Sequence, residues 1–185
     1  MRKGLGEPAV RRKSRELNLQ KGAVMQLEKA IEKIKEKARA DDPMAVREAV
    51  ELTETHPGEA ATWSLLSYVH ARIGNYQDAI ADLTQAIEIS SNEPVMYFNR
   101  GRYRSILARH NDAIGDYTRG IALCEESGDD YYLETLYFLR AHAYLKLGNK
   151  GAALLDLSQV KDEDFSFWEK EIFTKKQLLS LCNSA

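Results

Sequence analysis

The sequence predicts an all-α fold, a right-handed α-α superhelix of about three stacked helix hairpins with a capping helix at each end. Three segments with one shared pattern of small, apolar and acidic residues support it: AIADLTQAI from Ala79, AIGDYTRGI from Ala113 and ALLDLSQV from Ala153. Their starts are offset by 34 and then 40 residues. Offsets of this size indicate one supersecondary unit that stacks on its own copies.

The first unit, residues 60–93, contains two amphipathic segments on either side of Gly74. Trp63 and Leu66 have helical spacing on the first segment, and Ile80 and Leu83 have it on the second. Gly74 suits the end of the first helix, because a left-handed residue after a helix costs glycine nothing sterically. The unit is therefore predicted to be a helix hairpin.

Residues 94–127 and 134–160 repeat this hairpin, with Tyr97 and Tyr137 at the position of Trp63. In the second unit, Ala108 replaces the turn glycine. The insertion at 128–133, which reads GDDYYL, is expected to lengthen the loop or add a turn to a flanking helix.

Both ends of the chain are predicted to differ from the repeats. Residues 1–21 are expected to form a flexible basic arm, since residues 1–40 carry 12 Lys and Arg against 5 Asp and Glu in a chain of net charge −2. Residues 22–59 are interpreted as a degenerate helical N-cap or half repeat. Residues 161–185 are predicted to form a C-terminal capping helix, because Ser166 to Glu169 has capping-box spacing.

The repeat pattern resembles the tetratricopeptide repeat family. The residues that carry the resemblance are W-x2-L from Trp63, G-N-Y from Gly74 and A-x3-L-x2-A from Ala79. It covers residues 60–160 closely and 26–59 loosely. The resemblance implies a non-enzymatic scaffold or adaptor that binds a protein or peptide in a concave groove lined by the first helix of each hairpin.

If the family geometry holds, the inward-facing positions make this groove aromatic and basic on an acidic body. We therefore expect it to bind an acidic or carboxylate-bearing segment, because arginine pairs with carboxylates and aromatic residues anchor peptides. The candidate groove residues are Ser64, Tyr68, Arg72, Phe98, Asn99, Arg102, Phe138, His142 and Lys146.

Two other functions fit the same sequence. One is a dedicated, immunity-type inhibitor that binds one toxin or enzyme; the other is a structural subunit of a homo-oligomer that dimerises through residues 15–39. A monomer is favoured, because the apolar line of the first helix is too short to dimerise well alone. A dicarboxylate clamp for chaperone C-termini is rejected: of Ser64, Tyr68, Asn99, Thr135 and Leu139 at the clamp positions, Asn99 alone fits.

Catalysis, cofactors and metals are not expected. The four histidines have no metal-ligand spacing, and the chain has no phosphate loop or nucleophile elbow. The repeated acids are interpreted as solvated or as forming hydrogen bonds between units; they are Asp78, Asp82, Asp112, Asp116 and Asp156. Nucleic acid is not an expected partner, since the basic arm has no aromatic residues for stacking. Two cysteines and no membrane segment predict a cytoplasmic protein.

Overall fold

The computed structural model describes residues 9–168 and 172–184. Helices make up most of this part of the chain, and two short strands lie near its C-terminus. In chain order the elements are α1 (Ala9–Arg39), α2 (Met44–Thr55), α3 (Ala60–Arg72), α4 (Tyr76–Ile89), α5 (Pro94–Ile106), α6 (His110–Ser127), α7 (Leu133–Lys146), α8 (Lys150–Leu157), β1 (Ser166–Trp168), β2 (Ile172–Thr174) and α9 (Lys175–Asn183).

The first eight helices form four hairpins that stack in chain order into an all-α superhelix. We call α1, α3, α5 and α7 the inner helices, because they follow one another along the concave side. The helices α2, α4, α6 and α8 are the outer helices. Successive hairpins bury their apolar faces against each other, as stacked repeats must.

The N-terminal region differs from the expected flexible arm. Helix α1 already begins at Ala9, and residues 1–8 lie outside the described part. No proline stands between Pro8 and Pro43 to interrupt it. Ile34 and Ala38 at its C-terminal end are buried against α2 and α3, so α1 and α2 form a hairpin rather than a half repeat.

Equivalent residues occupy equivalent places in the first two units. The Trp63 indole N–H donates to the carbonyl of Pro57 at 3.0 Å, and the Tyr97 hydroxyl donates to the carbonyl of Ser91 at 3.2 Å. Both acceptors lie six residues upstream of their donors. The insertion after α6 changes the third unit, where the Tyr137 hydroxyl bonds to the Glu125 carboxylate at 2.9 Å.

Each turn between the two helices of a hairpin contains one residue in the left-handed region. Gly74 and Gly148 have φ values of 79° and 76°, and Ala108 takes the same conformation at 58°. Helix α6 also ends at a left-handed residue, Gly128, with φ of 72°. This helix is one turn longer than α4. Asp41, in the turn between α1 and α2, is left-handed too, with φ of 54°. A β-carbon disfavours this backbone, and Ala108 is the more strained of the two because aspartate tolerates it better than alanine.

A partly buried arginine joins consecutive units. Arg140 on α7 donates to both oxygens of Asp156 on α8, at 2.8 and 2.7 Å, and to Thr118 on α6 at 3.0 Å. Arg100 on α5 makes the same contacts one unit earlier, with Asp116 and Thr84. Of the repeated acids, Asp116 and Asp156 are therefore buried and hydrogen-bonded, whereas Asp78 and Asp112 are exposed as expected for solvated positions.

The repeated acid of the first unit has a histidine partner instead. Asp82 lies 2.7 Å from the Nδ1 atom of His70, and burial raises the pKa of its carboxyl group. The histidine pairing fits the sequence, because the first unit has Leu66 where the later units have arginine.

The predicted C-terminal helix from Ser166 is wrong. Ser166–Trp168 is strand β1, which pairs antiparallel with β2, and the final helix α9 begins only at Lys175. A capping box lies at its start, where Thr174 accepts from the Gln177 amide N–H and Gln177 accepts from that of Thr174. In the strand pair, the side chains of Phe167 and Phe173 lie on the same face and pack against the inner helices. This packing favours strands over a helix here.

We predict that Ala108→Gly raises the free energy of unfolding by about 0.5–1 kcal/mol, because glycine relieves the left-handed strain at this turn. Chemical denaturation measures the change. The matched variants Gly74→Ala and Gly148→Ala should each lose about 1 kcal/mol. A destabilised Ala108→Gly protein would contradict this interpretation of the turn.

We predict that Arg140→Ala costs about 3 kcal/mol or more, since it leaves the buried Asp156 carboxylate without its partner. Arg47→Ala is the control: it breaks an ion pair with Glu51 whose side chains are 72% and 56% exposed, and it should cost less than about 0.5 kcal/mol. Adding Asp156→Asn to Arg140→Ala should recover part of the loss. Equal losses in the free energy of unfolding for Arg140→Ala and Arg47→Ala would show that the Arg140–Asp156 pair stabilises the fold no more than an exposed ion pair.

Candidate functional site

Two adjoining cavities lie on the concave side between α1, α3 and α5. Their volumes are about 310 and 400 Å³. Tyr68 and Asn99 line both, so the cavities form one continuous surface, which we call the open groove. Its other polar and aromatic lining residues are Lys35, Ser64, Arg72, Tyr76, Arg102 and Tyr103.

The open groove is basic. Lys35, Arg72 and Arg102 line it, and no carboxylate is among the described residues of its lining. Arg72 donates to Asp41 outside this lining at 2.8 Å. Lys35 and Arg102 form no ion pair within the described part of the chain. Two cations are therefore free to bind a carboxylate.

Two buried polar atoms at the open groove also lack a partner. The Oγ atom of Ser64 and the Nε atom of Arg102 have no hydrogen bond to any described residue. Such atoms are costly to leave unpaired, and because both are buried a ligand would reach them only after neighbouring side chains move.

The continuation of the concave face over α7 is closed by the chain itself, and we call this part the covered face. The Phe138 ring is fully buried beneath Phe165 and Phe173, at centroid distances of 4.9 and 6.2 Å. The His142 ring stacks on Phe173 at 4.2 Å. Phe138 and His142 were expected to contact a ligand; Phe138 is instead covered by residues of the C-terminal segment, and Phe173 covers one side of His142.

Arg102 and Phe98 mark the boundary between the two regions. Phe98 packs against Tyr132 of the insertion at 5.2 Å and against Phe167 of β1 at 6.3 Å. The Arg102 guanidinium lies 5.5 Å from the Phe98 ring centre and 5.2 Å from that of Phe167. These cation–π contacts hold the Arg102 charge at the edge of the open groove.

A third cavity, of about 410 Å³, lies beside α9 and is lined by His142, Lys146 and Phe173 among others. Burial, together with the nearby Lys146 and His110 charges, lowers the pKa of His142 to about 4. His142 is therefore neutral at pH 7. Lys146, a predicted groove residue, is exposed at this cavity and not in the open groove.

The structure thus brings five predicted residues together: Ser64, Tyr68, Arg72, Asn99 and Arg102. Phe98 borders this set through Arg102, and the other three lie away from it. Sequence reasoning missed three contributors. Lys35 was assigned to a cap, Tyr103 has no special position in the repeat, and Phe167 was placed on a helix. The alternation of Phe165 and Phe167 was a signal for a strand.

Metal and membrane features were searched over the described residues. They contain no group of three or more His, Cys, Asp or Glu side chains that could hold a metal ion. Within the same residues, no helix combines the length and apolar character needed to cross a membrane.

Comparison with protein families finds the tetratricopeptide repeat at residues 60–93 and 134–165. These ranges correspond to the first and third units. The chain thus contains tetratricopeptide repeats. Arrays of such repeats present concave surfaces that hold other chains, and families built from them are generally non-enzymatic interaction modules.

Solved structures of tetratricopeptide proteins share this fold. A MamA crystal structure superimposes with a TM-score of 0.61 at 20% identity, covering 68% of this chain and 72% of MamA. The TPR2B domain of yeast Sti1, in complex with pHsp70, gives 0.61 at 22% identity, covering 66% of this chain and 98% of that domain. At such identities the likeness concerns the fold alone.

A curated relative is the SGT1 homolog of Bos taurus. It is 26% identical over 115 residues, which cover 55% of this chain and 34% of that protein. The chain therefore spans about a third of the length of this relative.

We predict that His142 makes the protein less stable in acid. Its pKa is about 4 in the folded protein and about 6.5 when unfolded, so the unfolded chain alone binds the proton between these values. The free energy of unfolding should fall by about 3 kcal/mol as the pH drops from 6.5 to 4. Denaturation at several pH values measures this decrease.

His142→Leu should remove this part of the pH dependence. Replacement of the exposed His56 by Gln is the control and should retain it. Identical pH profiles for wild type and His142→Leu would contradict the burial of a neutral imidazole.

Proposed function

We propose that the protein is an adaptor whose open groove binds an acidic segment of a partner protein that also carries aromatic residues. The observation that supports this most is the pair of unpaired cations, Lys35 and Arg102, on a concave surface whose described lining has no carboxylate. Charge-assisted hydrogen bonds to carboxylates are stronger than neutral ones and are directional for arginine.

The chain's own C-terminal segment supports the aromatic part of the proposal. Residues 162–169 read DEDFSFWE, and Phe167 of this segment lies against Phe98 and Arg102. The concave surface therefore already accepts an aromatic residue from an acidic segment. Tyr68 and Tyr103 in the open groove offer rings of the same kind to a partner.

Chaperone C-termini are not proposed as the ligand. The Sti1 structure contains pHsp70, but Ser64, Tyr68, Thr135 and Leu139 stand here where a dicarboxylate clamp needs Lys, Asn and Arg. In addition, Leu139 is buried in this fold and offers no polar group. The open groove thus favours a different acidic partner.

We predict that a fluorescein-labelled peptide of sequence DEDFSFWE binds the protein saturably. The double variant Lys35→Gln with Arg102→Gln should lower its affinity at least tenfold. Loss of one charge-assisted bond costs about 1.5–3 kcal/mol, which is tenfold or more in the dissociation constant. Fluorescence polarisation measures the affinity.

The matched control is Arg119→Gln. Arg119 lies exposed on the outer helix α6, where it pairs with Glu126 at 3.6 Å, and its loss should leave affinity unchanged. A second control is the peptide with Asn and Gln in place of its acids, which should bind at least tenfold more weakly. No saturable binding, or equal binding to all variants, would overturn the proposal.

A further inference from the structure

The cavity of about 410 Å³ beside α9 adjoins a further cavity of about 320 Å³. The two are continuous, because His142, Lys146 and Leu181 line both. We call the surface that they form together the α9 cavity. Among the described residues it shares no lining residue with the open groove, so it is a separate site.

The larger part of the α9 cavity has an apolar wall built by β2 and α9. Phe173 and Leu178 of this wall are buried, whereas Ile172 and Leu181 stay 63% and 54% exposed. Apolar side chains gain free energy when another apolar group removes them from water. The wall therefore favours a ligand with an apolar body.

Polar groups meet the apolar wall where the two cavities join. Lys146 is exposed there and forms no ion pair within the described part of the chain. His142, one helical turn earlier, is buried, and its ring nitrogens make no hydrogen bond to a described residue. A neutral imidazole has one N–H to donate. The join thus offers an ammonium group and an imidazole donor to an anion.

The charges around this join favour a ligand with one negative charge. No carboxylate is among the described lining residues of the α9 cavity. Lys150 lines its smaller part but already donates to the Ser184 carbonyl group. Lys146 therefore remains as one unpaired cation, which matches a carboxylate better than a phosphate dianion.

The backbone around the α9 cavity favours a small acid over a peptide. Apart from Ile172 and Phe173, the described residues that line its larger part belong to α7 and α9. Backbone N–H and C=O groups of a helix are mostly bonded within the helix. An extended peptide would leave many of its own backbone groups unpaired here, which is costly. An alkyl tail has no such groups.

We propose that the α9 cavity binds a small apolar monocarboxylic acid, with its carboxylate at Lys146 and His142 and its alkyl tail along the apolar wall. This site is independent of the open groove and adds a second ligand class to the proposed function. The combination that supports it is an unpaired cation and a buried, unpaired imidazole beside exposed apolar side chains.

Octanoate is the probe that tests this inference, and NMR of the methyl groups of Ile172 and Leu181 measures its binding. Titration should shift both sets of methyl signals and reach saturation. Decanoate should bind about tenfold more tightly, because two further methylene groups leave water. Octan-1-ol should bind about tenfold more weakly or worse, because it has no charge for Lys146.

Two pairs of surface variants locate the ligand. Lys146→Gln should weaken octanoate about tenfold or more, whereas Lys176→Gln, exposed on α9 outside the lining, should stay within about threefold. Leu181→Gln removes part of the apolar wall and should weaken octanoate about threefold or more. Its matched control is Leu155→Gln on α8, an exposed leucine outside the α9 cavity, which should leave the affinity unchanged.

The outcomes separate this site from the open groove. Octanoate should bind the Lys35→Gln and Arg102→Gln double variant as it binds wild type, and loss of DEDFSFWE binding leaves this inference intact. Octanoate that shifts neither set of methyl signals would overturn the inference, as would equal affinity for octan-1-ol or for Lys146→Gln. Tighter binding at the same methyl groups by the peptide N-acetyl-AAL with a free carboxylate would assign the α9 cavity to a chain terminus and overturn the inference too.

Discussion

A stack of helix hairpins leaves the apolar face of its last hairpin without a partner, and this constraint shapes the C-terminal part of the molecule. Helix α9 supplies one cover, with Leu178 and Cys182 buried in the same cluster as Leu157 of α8. The preceding strands supply another, because Phe165 and Phe173 bury Phe138. The cover extends past the end of the stack and onto the concave side.

This extension divides the concave side into two regions of different chemistry. Over α7 the surface is filled by aromatic rings and holds a neutral histidine, so it has little to offer an acidic segment. Over α1, α3 and α5 the surface stays open and positively charged. Arg102 belongs to both regions, since it stacks on Phe167 while its Nε atom has no hydrogen-bond partner.

Local sequence signals were sufficient to predict the repeats. They were insufficient to predict the C-terminal strands and the start of α9, which cover the last hairpin. The 34-residue offset located the hairpins, because a helix pair is specified by its own spacing, turn residue and small residues. The capping-box pattern at Ser166 competed with a true one at Thr174, and the short alternation of Phe165 and Phe167 was the one local signal against the first. The choice depends on rings far away in sequence, Phe98 and Phe138. The same distance explains why these rings were assigned to the groove: they do face inward, but a later segment buries them.

NMR of the aromatic side chains tests the central claim, that the chain's own C-terminal strands occupy the concave side over α5 and α7. Selective labelling of phenylalanine and histidine rings should give nuclear Overhauser contacts from Phe167 to Phe98 and from Phe173 to His142, whose rings lie 6.3 and 4.2 Å apart. Absence of both contacts, with the Phe138 and His142 rings exposed to solvent, would contradict the division of the groove.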